Sequence, residues 1–338
     1  MPHPPHTPDR PDRIVSPATK RPGPLKGAEI TIVARDPQMV AIVKLLKRLS
    51  KAPTNVLLSG ESGTGKDLAA HALHFWGPRA PLPMVTLDLP SIPGGLMESE
   101  LFGFERGAFT GAAAAKAGKL ELAGPGTMYL DHIGELPPML QAKLLRVVED
   151  RRFERLGGSR TLSLEARIVA SASADLAQAM ERQLFRRDLF HRLGVFWIRL
   201  PPLRERALDV VPLAELFLSR EAERLGRVPA RFGAEALGAL QEYSWPGNVR
   251  ELKGAVEHGA IMSRTDAIER SDLPAYLLER GASGWPFGRE KRPTLSEVEK
   301  LYIERVLKEA GGNQTRAAEI LGISRKSLWE RRRRFDLK

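Results

Sequence analysis

Gly60-Glu61-Ser62-Gly63-Thr64-Gly65-Lys66 spaces three glycines and a lysine as a loop that turns its N–H groups toward phosphate oxygens. Lys66 adds a point charge, and a helix beginning there adds the positive end of its dipole. Val56-Leu57-Leu58 supplies the strand from which such a loop must leave. The position after the lysine normally carries a hydroxyl for magnesium, but here it is Asp67. Asp131 closes the hydrophobic run Tyr129-Leu130 and is the expected magnesium ligand beside a bound nucleoside triphosphate. Between these two features lies Gly107-Ala108-Phe109-Thr110-Gly111-Ala112. So small a loop has no core of its own, and an exposed Phe109 at its tip needs a partner.

A third constellation lies at the C-terminal end, where Gln314–Arg333 fits a helix-turn-helix. Asn313 can cap the first helix, and Ser324 the second. Ala317 and Ala318 are small where two helices must meet, Gly322 sits in the turn, and Ile323 and Leu328 face inward. The second helix is expected to display Arg325, Lys326, Ser327, Glu330 and Arg331 to the major groove of double-stranded DNA, with Ser324 at its start also a DNA contact. Arg333 and Arg334 then neutralise phosphates.

Five short β-rich runs position the phosphate chemistry: Thr54–Ser59, Met84–Asp88, Thr127–Asp131, Arg167–Ser171 and Val195–Leu200. Helical patterns such as Lys66–Trp76 and Met139–Glu149 separate most of them. This alternation predicts an α/β fold, a parallel sheet with helices on both faces. From about Leu208 strands give way to helical patterns over Val210–Leu225, Ala234–Tyr243 and Val249–Met262. The domain reading is a disordered tail over 1–27, an α/β core over 28–205, a helical segment over 206–280, a linker over 281–293 and a small all-α domain over 294–338.

The chain has 338 residues, of which 42% are hydrophobic, enough for two or three ordinary domains. It contains no cysteine, which excludes disulfides and thiolate chemistry and suits the cytoplasm. The net charge of +11 favours a polyanionic partner. No signal peptide or membrane span is expected.

In the order and spacing of these motifs, the chain from about Ile30 onward resembles the bacterial enhancer-binding proteins, AAA+ activators of RNA polymerase carrying sigma-54. The resemblance implies that Gly107–Ala112 grips the sigma factor and that residues 206–280 form the AAA+ lid. It implies ATP and magnesium as cofactors, and a ring of subunits, a hexamer by that resemblance. Arg186 and Arg192 would supply arginine fingers to a neighbouring subunit. Arg250, in Trp245-Pro246-Gly247-Asn248-Val249-Arg250-Glu251-Leu252, would be the lid arginine that reaches the nucleotide. The last domain resembles the Fis type, which is dimeric and binds palindromic enhancers.

Three departures from that family fall at the hydrolytic centre. His132 replaces the glutamate that follows the strand-end aspartate, Asp88 replaces an asparagine, and Ala172-Ser173 replaces Thr-Asn. Asp88 and His132 are expected to end neighbouring strands and to act as a substitute pair, the carboxylate orienting the imidazole. The alternative is a DNA-binding regulator that binds nucleotide without hydrolysing it. No sensing domain precedes residue 28 in this reading, so control is expected from a separate regulatory protein, from expression level, or not at all.

Overall fold

The computed structural model describes residues 13–15, 30–226, 231–278, 294–311 and 313–335. The chain divides into two compact units, Met1–Pro274 and Ala275–Lys338. The first is built on five parallel strands: β1 (Val56–Ser59), β2 (Met84–Asp88), β3 (Thr127–Asp131), β4 (Arg167–Ala172) and β5 (Phe196–Arg199). Their spatial order is β5-β1-β4-β3-β2. The register pairs Asp88 with Asp131 at the ends of β2 and β3.

Alternate residues of a strand point to opposite faces, so a sheet buried on both sides needs near-continuous apolar strands. Leu57, Leu87, Met128, Leu130, Ile168 and Ala170 join one core with Leu140, Leu144 and Val147 of helix Pro138–Asp150. Val56, Leu58, Tyr129, Val169 and Ile198 join the other, against helices α1 (Pro37–Ser50) and α2 (Lys66–Phe75). Asp36 caps α1 by accepting from the Gln38 N–H at 2.9 Å, with Pro37 in the first turn. The expected strands and helices are all present, with ends moved by a residue or two.

Three helices follow in the first unit: Val210–Leu225, Ala234–Glu242 and Asn248–Met262. Trp245 anchors the turn between the last two. It is fully buried, and its indole N–H donates to the Leu240 carbonyl at 2.9 Å. In the second unit, Leu295–Glu309, Gln314–Ile320 and Arg325–Phe335 close over Ile303, Val306, Leu307, Ala317, Ala318 and Leu328. The expected tail contains one described segment, Arg13–Val15, which pairs antiparallel with Thr31–Val33. The rest of the expected tail 1–27, and the expected linker 281–293, lie outside the described residues.

Candidate nucleotide and hydrolytic site

The phosphate loop leaves β1 and enters α2 with φ of 153° at Gly60, 77° at Gly63 and 103° at Gly65. Only glycine takes such angles at little cost. A Cβ on Gly65 would meet nothing within 4 Å, so an open cradle lies over the start of α2. Lys66 is buried, and its ammonium donates to the carbonyls of Gly60 at 2.8 Å and Glu61 at 3.0 Å. Burial lowers its pKa, while the charges of Asp131 and Asp67 act in the opposite direction. A desolvated ammonium on neutral carbonyls, beneath an open glycine cradle at a helix start, fits a polyphosphate.

The lid segment grips the same loop. Asn248 is fully buried and its side-chain amide donates to the Ser62 carbonyl at 3.0 Å and the Glu61 carboxylate at 3.1 Å. The Val249 N–H donates to the Gly63 carbonyl at 3.0 Å, and Arg250 donates to the Ser62 hydroxyl at 3.0 Å. Arg204 holds the Glu61 carboxylate through two nitrogens, at 2.8 and 2.5 Å. That ion pair, followed by the Asn248 bond, holds the Glu61 pKa down at about 2 against the opposing effect of partial burial. Buried Arg206 donates to the Thr64 carbonyl at 2.9 Å. Thus Glu61 and Ser62, expected to serve the cofactor, turn their side chains to the lid.

At the far side, Tyr129 donates its hydroxyl toward Asp67 at 2.8 Å and Asp131 at 3.0 Å. Burial and then these two carboxylates push its pKa up, so it remains a donor. The Ser171 hydroxyl also donates to Asp131. His132 has φ 58°, ψ 49°, and its N–H is shared between Asp131 at 3.1 Å and Ser171 Oγ at 3.1 Å. Its Nδ1 lies 3.3 Å from Asp88 and 3.3 Å from Asp131. The expected Asp88–His132 pair is therefore present, with Nε2 turned away from it. Of the segment read as the first sensor, Ala172 is buried with only a methyl to offer, and Ser173 is exposed. Ser171, one residue earlier, bonds Asp131 and the His132 N–H. Arg186 pairs with Asp188 at 2.7 Å, and Arg192 approaches Glu149 at 3.9 Å. Both arginines are exposed.

The Gly107–Ala112 loop is closed by its own backbone. Gly107 N–H donates to the Ala112 carbonyl at 2.9 Å, and Ala112 N–H to the Phe109 carbonyl at 3.0 Å. Thr110 is exposed, and Phe109 keeps 42% of its surface. Its ring is not wholly free, because it rests edge-on against Phe104 at 4.9 Å. Beneath the loop runs a hairpin, Arg152–Glu154 with Thr161–Ser163. Glu105 N–H donates to the Leu156 carbonyl and Leu156 N–H to the Gly103 carbonyl, both at 3.0 Å. Arg155 holds Glu105 at 3.1 Å and Glu121 at 2.7 Å. A Cβ on Gly157 would stand 2.8 Å from that of Ala108.

In the second unit Asn313 caps its helix as expected, accepting from Thr315 and Arg316. Gly322 turns at φ 64°. Arg325, Lys326, Arg333 and Arg334 are exposed. Three expected DNA contacts are less available than the sequence suggests. Ser324 is occupied in capping, accepting from the Ser327 N–H at 3.1 Å, and Ser327 is half-buried beside it. Arg331, also half-buried, is ion-paired to Glu299 of the preceding helix.

The Sigma-54 interaction domain matches residues 32–199, the AAA+ ATPase lid domain 204–286, and the Fis family of bacterial regulatory proteins 294–335. The transcriptional regulatory protein ZraR of Klebsiella oxytoca is 40% identical over 313 residues, 93% of this chain and 70% of that protein. The regulatory protein AtoC of Escherichia coli strain K12 is 41% identical, over 88% of this chain and 66% of its own length. The crystal structure of NtrX from Brucella abortus with ADP aligns at a TM-score of 0.68 and 32% identity, covering 90% of this chain and 70% of that one. The same protein with ATP aligns at 0.67, also at 32% identity, covering 90% and 69%.

The chain therefore belongs to the AAA+ transcriptional regulators that carry a sigma-54 interaction domain, a AAA+ lid and a Fis-type helix-turn-helix. Against its curated relatives it spans from 57% to 70% of their length. Among the described residues, no helix is long and apolar enough to cross a membrane.

Proposed function

We propose that this protein is a sigma-54-dependent transcriptional activator. It binds enhancer DNA through its Fis-type domain and ATP with magnesium at the loop Gly60–Lys66. It works as an oligomeric ring that remodels sigma-54 RNA polymerase. The observation that carries this reading is the exposed Phe109–Thr110 tip, set in the same unit as the phosphate cradle. Asp131, held by Tyr129 and Ser171, is the proposed magnesium ligand, with Asp67 nearby. Magnesium would neutralise charge on the transferring phosphoryl group. Lys66 holds the phosphates, and Arg250 reaches them from the lid. Arg186, bonded through two nitrogens to Asp188, and Arg192, 3.9 Å from Glu149, are both exposed and are proposed to serve a neighbouring subunit's nucleotide.

The Asp88–His132 pair takes the place of the water-orienting carboxylate. With Nδ1 facing Asp88 and Asp131, Nε2 is left to hold the attacking water. A second reading, a regulator that binds ATP without hydrolysing it, is favoured by buried Ala172, which brings only a methyl where the family's first sensor has threonine.

Two measurements test the proposal. Wild type should form a complex with sigma-54 trapped by a nucleotide analogue, and Phe109→Ala and Thr110→Ala should lose it while still binding ATP. Complexes of equal strength from both variants would remove the loop from sigma-54 recognition. Wild-type ATP turnover should exceed that of Lys66→Ala. Turnover equal to that of the variant would leave the non-hydrolysing regulator.

A further inference from the structure

Three side chains of the hydrolytic centre offer donor atoms to one point. One ligand atom from each of Asp88, Asp131 and His132 lies within 4.8 Å of the others, the one such convergence among the described residues. His132 Nδ1 is 3.3 Å from an oxygen of each carboxylate. Zinc-type ions bind imidazole and carboxylate at about 2.0–2.2 Å, so the edge of their tetrahedron is roughly 3.3–3.6 Å. Octahedral magnesium at about 2.1 Å needs an edge of roughly 3.0 Å and prefers oxygen alone. The two separations from His132 match the tetrahedral edge, and an imidazole in the donor set favours a transition metal.

The surroundings fix these donors as outer groups do in metal sites. The His132 N–H is held by Asp131 and Ser171, and Tyr129 and Ser171 both donate to Asp131. The Lys66 ammonium is bonded to the Gly60 and Glu61 carbonyls and does not occupy the carboxylates. The His132 and Asp88 side chains keep 42% and 49% of their surface, so a metal can arrive from solvent and keep water in its fourth position.

We propose that Asp88, Asp131 and His132 bind a tetrahedral divalent transition metal ion without nucleotide. The metal takes the Nδ1 lone pair of the neutral His132 imidazole, whose single ring proton is then carried on Nε2. Once bound, it withholds Asp131 from magnesium, so that the ATPase centre is closed. The inference goes beyond the activator reading, because the site is filled without ATP, sigma-54 or DNA.

The test titrates Co2+ into the full chain without nucleotide and follows its visible absorption. The expected result is the intense spectrum of tetrahedral cobalt, bleached by Zn2+ and unaffected by excess Mg2+. Asp88→Asn and His132→Asn should each weaken binding at least tenfold. Asparagine is chosen at 132 because it tolerates the left-handed backbone there. His258→Ala, on the lid helix, should bind as wild type. A weak octahedral spectrum, or unchanged affinity in both site variants, overturns the proposal. The readout involves no ATP, so this failure would be separate from failure of the ATPase reading.

Discussion

Replacing Glu61 by glutamine tests whether the lid is latched electrostatically to the phosphate loop. The carboxylate is held by both terminal nitrogens of Arg204 and by Asn248, and its pKa falls from an ordinary 4.5 to about 2. Taken whole, that fall corresponds to about 3 kcal/mol. The side chains of Glu61 and Arg204 keep 33% and 37% of their surface, and solvent screening leaves about 1–2 kcal/mol. Glutamine preserves the shape and can still accept from Asn248, so the loss isolates the ion pair. The Val249 amide, bonded across to the Gly63 carbonyl, reports opening of the latch. Its hydrogen exchange, corrected for intrinsic rate, should be about 5- to 30-fold faster in Glu61→Gln at pH 7. A pKa lower in the folded state stabilises fully above the unfolded value of 4.5, and that contribution is lost as pH falls toward 2. The difference between wild type and variant should thus shrink by more than half at about pH 3. Equal exchange at pH 7, or an undiminished difference at pH 3, would refute the latch.

Gly63→Ala should disturb the same junction more than Gly65→Ala, because its Cβ would stand 2.3 Å from the Gly247 carbonyl whereas that of Gly65 meets nothing. Both incur the left-handed penalty of about 1–2 kcal/mol, so a larger loss of thermal stability at 63 measures the clash, and equal losses would deny it. On DNA, Arg325→Ala or Lys326→Ala should reduce discrimination between enhancer and random duplex. Arg333→Ala or Arg334→Ala should weaken both and lower the salt slope by about one per lost phosphate contact. Identical effects from all four would mean that the helix reads no bases.

The sequence revealed the architecture because its strands are short, apolar and bounded by turn residues, and its motifs have fixed spacing. The Asp88–His132 pairing was legible too, since strand ends in neighbouring register meet wherever the parallel order is known. Ser171 was not, because a serine inside an apolar strand reads as a tolerated small residue until the face it points to is known. Nor was the attachment of Glu61 to Arg204 and Asn248, which are 143 and 187 residues away along the chain. No local pattern encodes such a contact. Arg331 looked like a groove-facing cation because helical periodicity places it outward, and only packing against Leu295–Glu309 brings Glu299 to it.

The loop that carries Phe109 is not a free tether. Its neck is stitched to the hairpin at residues 152–163 by reciprocal backbone bonds and by Arg155, and Gly157 abuts Ala108 with no room for a side chain between them. Loop and hairpin therefore form a stiff lever arm with a braced root. A push on the Phe109 tip is carried as load into the hairpin and on to helix Pro138–Asp150, whose C-terminus leads directly into it. Any power stroke must move both pieces together, and compliance introduced at Gly157 or Arg155 would dissipate the thrust before it reached a partner.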